Sequence, residues 1–134
     1  MDKTIEATVR HGQTGHTVVL STEDHSAYQR QSRAFLDEYQ PKGVIETQLV
    51  QFLIDDSWRI NRSAAIQTTL LSPGSDACDP KTLDAFVKIN IDCQRLTRQF
   101  ERTLRLFRKI QAERRRDEKR QLARATKILK MYIT

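Results

Sequence analysis

The sequence predicts an all-α fold: three helices in an antiparallel arrangement, the last of them very long, preceded by an extended N-terminal arm. Three observations carry this. Phe86, Cys93, Phe100 and Phe107 recur every seven residues, and Ile89, Leu96, Thr103 and Ile110 each follow three later, which is the spacing of a helix with a packing seam. Breaks rich in proline and glycine, Tyr39-Gln40-Pro41-Lys42-Gly43 and Leu71-Ser72-Pro73-Gly74-Ser75-Asp76, divide the chain into three periodic stretches. A single β-branched run, Thr17-Val18-Val19-Leu20, suits an extended segment, and no second run is evident for it to pair with.

Residues 1–20 therefore read as an extended arm lying on helices, with a turn permitted at His11-Gly12-Gln13-Thr14-Gly15-His16 and the apolar end, Val18 to Leu20, tucked into the core. Ser21-Thr22-Glu23-Asp24 predicts a helix start, with a hydroxyl cap and carboxylates in the first turn facing the positive end of the macrodipole. Helix one then runs to about Tyr39, with Tyr28, Phe35, Leu36 and Tyr39 on one face, and Pro41 ends it. Gly43 opens helix two, which continues to about Thr69. Its apolar residues, from Val44 and Ile45 through Leu53, Ile54 and Trp58 to Ala64-Ala65, cover most of the circumference, so this is the central helix, packed on two sides.

Asp79 as cap and Pro80 at the first helical position start helix three. Continuous to Lys130, it would be about 75 Å long, more than a core of this size covers. The expected organisation is an arm at 1–20, a helical core at 21–110 and a basic helical extension at 111–134. Helices one and two form a hairpin against the first half of helix three. The second half must project, bend back near 112–117, or pair with another molecule.

Length and composition fit one domain with a modest core: 134 residues, 38% hydrophobic, 7% aromatic and 30% charged. The net charge of +6 is unevenly spread. Residues 1–70 hold seven Lys or Arg against nine Asp or Glu, whereas 95–134 hold fourteen against four. Such polarity attracts nucleic acid, acidic protein surfaces or anionic lipid. Two cysteines, Cys78 and Cys93, are too few for a disulfide framework. The amino terminus has no apolar signal core, and no apolar run is long enough for a membrane span, so the expectation is a cytoplasmic protein.

Arginine suits phosphate because its planar fork makes paired hydrogen bonds, and each neutralised phosphate releases counterions. The candidate phosphate-contacting residues are Arg105, Arg108, Lys109, Arg114, Arg115, Arg116, Lys119, Arg120, Arg124, Lys127 and Lys130. A solvated face neutralised by pairs such as Glu101 with Arg105 and Asp117 with Gln121 or Arg120 is the simpler account. A net excess of ten positive charges in residues 95–134 argues beyond it.

Other constellations are weaker. Trp58 reads as a core anchor, and Arg59 and Arg62 share a face from which they extend the basic surface or clamp Asp55 and Asp56. Asp55 and Asp56, adjacent in sequence, diverge on a helix and read as solvated surface acids rather than a catalytic pair. His11, His16, His25, Cys78 and Cys93 match no closed metal-ligand spacing. No phosphate-cradling glycine loop or nucleophile elbow is present. No cofactor, metal or catalytic residue is expected.

The order of His11-Gly12, Glu23-Asp24, Tyr39-Gln40-Pro41-Lys42-Gly43 with Glu46, Trp58-Arg59, and Arg102-Thr103-Leu104 to Gln111-Ala112-Glu113-Arg114 resembles an uncharacterised family of small helical bacterial proteins. The likeness spans most of the chain and departs from it before His11 and at residues 115–134. It implies a folded helical unit and no particular activity. The functional expectation is thus a non-catalytic nucleic-acid-binding accessory or regulatory protein, acting on DNA or RNA through its basic C-terminal helix. The alternative is a helical scaffold whose long seam pairs with itself or with a partner's helix. An amphipathic membrane-surface helix, resting on Ile128, Leu129, Met131, Tyr132 and Ile133, ranks behind both.

Overall fold

The computed structural model describes residues 18–74 and 79–133. Most of the expected N-terminal arm, together with His11, His16 and Cys78, lies outside the described residues. Three helices follow in order: α1 (His25–Tyr39), α2 (Gly43–Leu70) and α3 (Pro80–Ile133).

α1 starts one residue after its cap. Asp24, not Ser21 or Thr22, caps it, its carboxylate accepting from the amides of Ser26 at 2.9 Å and Ala27 at 3.1 Å. No acid stands in the first turn, which is formed by His25, Ser26, Ala27 and Tyr28, and Glu23 lies ahead of the cap. Arg62 of α2 forks onto both Glu23 carboxylate oxygens, at 2.6 and 3.2 Å, and also donates to the carbonyl of Val18. That guanidinium holds the Glu23 carboxyl below its ordinary range, against the opposing effect of burial. The clamp fixes residues 18–23 on the helices and places Val19 in the core, while Leu20 stays open.

At its other end α1 closes with Gln40 in the left-handed region (φ 46°), its amide donating to the carbonyl of Leu36 at 3.0 Å. Pro41 prevents continuation. Gly43 then opens α2 at φ +81°, a conformation that side chains with a Cβ rarely adopt.

α2 packs against both neighbours. The link from Glu23 to Arg62 and that from Tyr28 to Asp55 set α1 antiparallel to α2. Contacts from Glu46 to Arg114 and from Asp56 to Gln99 set α2 antiparallel to α3. The core centres on Leu49, Val50, Ile54 and Phe107, flanked by Tyr28, Phe35, Tyr39 and Ile110. Tyr39 meets the Phe107 ring edge-on with centroids 5.6 Å apart, which is where α1 reaches α3. Trp58 is half-buried and makes an edge contact with Tyr28 at 5.5 Å.

α3 is continuous through residues 112–117, without a bend back, and measures about 80 Å at 1.5 Å per residue. Its packed part runs past Ile110. Gln111 is buried and donates to the Tyr39 carbonyl at 2.8 Å, and Lys42 reaches Glu118 at 3.9 Å. Beyond Glu118, every described residue of α3 is exposed. Residues 119–133 form a helical arm about 22 Å long that projects past the start of α2.

Candidate functional site

A helix turns about 100° per residue, and this step sorts the cations of α3. Arg98, Arg102, Arg105, Lys109, Arg116, Arg120 and Lys127 fall in one row on the side opposite Phe107, and all are exposed. The row is about 44 Å long. Arg108, Arg115, Lys119 and Lys130 flank it on one side, Arg124 on the other, and all of these are exposed as well. Near the start of the row, Arg95, Arg98, Arg102 and Arg105 line an open surface depression with Glu101.

Nearby acids neutralise little of this charge. Arg120 lies 3.5 Å from Asp117 and Arg95 lies 3.8 Å from Asp92, both pairs on open surface. Pairs of this kind are weak because water competes for both partners. The expected pairing of Arg105 with the Glu101 carboxylate is replaced by a long contact, 3.4 Å, to the Glu101 backbone carbonyl. Arg116 makes the same contact with Ala112. The sequence from Lys119 to Thr134 contains Lys119, Arg120, Arg124, Lys127 and Lys130 and neither Asp nor Glu.

Arg114 is the exception among the predicted phosphate contacts. It lies on the Phe107 side of the helix, where its guanidinium holds the buried Glu46 at 2.6 and 3.2 Å and Glu118 at 2.9 Å. All three distances fall within hydrogen-bonding range, so its donors serve the fold rather than an external ligand. The same contact holds the Glu46 carboxyl below its ordinary value, burial opposing it. Arg114 thus pins the start of α2 to α3 just before the arm departs.

Asp55 and Asp56 are corrected outright. Both are buried, not solvated. Asp55 accepts from the Tyr28 hydroxyl at 2.6 Å and from Gln51 at 2.9 Å. Burial, reinforced by Asp55, pushes the Tyr28 phenol up to about 12. Asp56 faces Gln99 of α3 at 3.4 Å and Arg59 at 3.6 Å, and its second carboxylate oxygen has no hydrogen-bond partner. Burial raises its pKa, Asp55 adds to the rise, and Arg59 and Gln99 oppose it. Arg59 therefore clamps Asp56 as anticipated, whereas Arg62 serves Glu23. A substrate would have to displace packed side chains to reach either acid, so this network positions helices. The signal for it was present: an acid in a helix whose apolar residues cover most sides has little solvent to face.

Among the described residues no three His, Cys, Asp or Glu side chains converge as a metal site would require. Cys93 is a half-buried free thiol on the seam, and His25 is exposed. No described helix is long and apolar enough to cross a membrane. No protein-family model, curated protein or solved structure matches the chain.

Proposed function

We propose that this protein is a non-catalytic nucleic-acid-binding accessory or regulatory factor that grips phosphates along the outward face of α3. The observation that carries the reading is the single cation row from Arg98 to Lys127, continued into an arm that has five basic residues and no acid. A continuous helix of this length presents its cations along one side over many turns. Polyelectrolyte binding needs little more than such a row, because released counterions supply the driving force.

The assignment concerns Arg105, Arg108, Lys109, Arg115, Arg116, Lys119, Arg120, Arg124, Lys127 and Lys130, with Arg98 and Arg102 added upstream and Arg114 left to the fold. Contacts of this kind fix position on the backbone and read no bases. The expected behaviour is therefore affinity for many sequences and a steep decline with salt.

A gel-shift titration at low ionic strength, with duplex DNA and with single- and double-stranded RNA, tests this. Binding by the native chain and its loss in a variant with Lys119, Arg120, Arg124, Lys127 and Lys130 changed to Gln are expected. No retardation of any of these ligands by the native chain would overturn the reading. The apolar residues on the other side of the same arm are not explained by phosphate contact.

A further inference from the structure

Those apolar residues continue an interface the fold already uses. The row on α3 that meets α2 runs through Phe107, Gln111, Arg114 and Glu118, and steps of four, three, four and three carry it on to Leu122, Ala125, Leu129 and Tyr132. α2 fills this lane as an antiparallel partner up to its start at Gly43, where Lys42 reaches Glu118. Along the last fifteen described residues of α3, no other described residue packs into the same lane. Leu122 is 68% exposed, Leu129 60% and Tyr132 87%, whereas Phe107 in the same row is fully buried.

We propose that the arm of a second copy of this chain occupies that lane, antiparallel, so that two arms complete each other's helix pair. The arm fits itself. An antiparallel copy that places Leu122 against Leu129 also places Ala125 against Thr126 and brings Ile133 to Glu118, so each tip ends where the partner's α2 begins. Small residues at the centre, Ala125 and Thr126, let the two backbones approach. The arrangement continues the direction of α2 along α3, and it covers apolar residues that the monomer leaves in water.

Charge permits it. Arg120 and Lys127, the arm's members of the cation row, lie on the far side of each arm from the stripe, so in the pair they end up on opposite outer faces, with Lys119, Arg124 and Lys130 at the sides. The two rows are separated by about two helix diameters, roughly 20 Å, well beyond the screening length of about 8 Å at physiological ionic strength. The pairing stands whether or not those rows hold nucleic acid. The overlap is short, so the pair belongs with small interfaces that dissociate on dilution.

Sedimentation equilibrium of the full chain over a concentration series tests the proposal. The mass is expected to rise from 15.6 kDa towards twice that value, and to stay at the monomer value when Leu122 and Leu129 are both changed to Asp. Circular dichroism of that variant should match the native chain, since both leucines lie outside the core. A second measurement fixes the geometry. With Cys78 and Cys93 changed to Ser, Ala125→Cys should form a disulfide-linked dimer on oxidation, and Ala123→Cys, on the cationic side, should not. A native chain that remains monomeric at every concentration overturns the proposal, as does equal cross-linking from both positions. So does a monomer that floats with vesicles of phosphatidylglycerol and phosphatidylcholine, which would assign the stripe to a lipid surface.

Discussion

Phe107→Ala tests where the fold keeps its strength. Phe107 is fully buried and sits against Leu49, Val50 and Ile54 of α2 and the ring of Tyr39. Truncating it removes the aromatic at the centre of the small core and leaves a cavity, and losses of this kind run about 3–5 kcal/mol. Domains of this size have a net stability of about 5–15 kcal/mol, so the change takes a large share of what is available. Leu122→Ala, four turns later in the same row but 68% exposed, should stay within about 0.5 kcal/mol. Urea unfolding followed by circular dichroism, at concentrations low enough to keep the chain monomeric, gives both numbers. Equal losses at the two positions, or a loss below about 1 kcal/mol at Phe107, would refute the division of α3 into a packed part and an arm.

Gly43→Ala should destabilise by roughly 1–2 kcal/mol, although a Cβ there meets nothing within 4 Å, because the cost lies in the positive φ; a neutral result in urea unfolding contradicts this. For Tyr28, ionisation opposes folding, since the folded phenol titrates near 12 against an ordinary 10.0. Its contribution should hold below about pH 10 and be lost as pH rises towards 12, and Tyr28→Phe should remove that alkaline loss in a pH titration of the urea midpoint. Asp56 behaves similarly in the acid range. Its raised folded pKa makes its contribution greatest below the ordinary value of 3.8 and smaller as pH rises through the folded value. Asp56→Asn should therefore gain on the native chain as pH increases, and parallel pH profiles of the two would count against it.

The helices were legible because their signals are local. The seven-residue recurrence of Phe86, Cys93, Phe100 and Phe107, the Pro41 stop and the Asp79-Pro80 start each depend on residues a turn or two apart. The wrapped apolar pattern of α2 likewise identified the central helix. What escaped depends on residues far apart in sequence. Glu46 finds Arg114, Glu23 finds Arg62 and Asp56 finds Gln99 only after the helices pack. The cap is Asp24 rather than a hydroxyl, its carboxylate accepting from Ser26 and Ala27, while Glu23 pairs with Arg62. In the candidate site, helical spacing alone separated Arg114 from the outward row. A dense run of charge hid that difference, because Arg114-Arg115-Arg116 reads as one cluster until the face of each residue is assigned.

The central claim is that the arm beyond Glu118 is an electrostatic grip, and the salt dependence of binding tests it most directly. Affinity for duplex DNA should fall linearly on a logarithmic salt scale, and changing Lys119, Arg120, Arg124, Lys127 and Lys130 to Gln should reduce the slope by roughly 4 to 5. An unchanged slope in that variant would contradict the account.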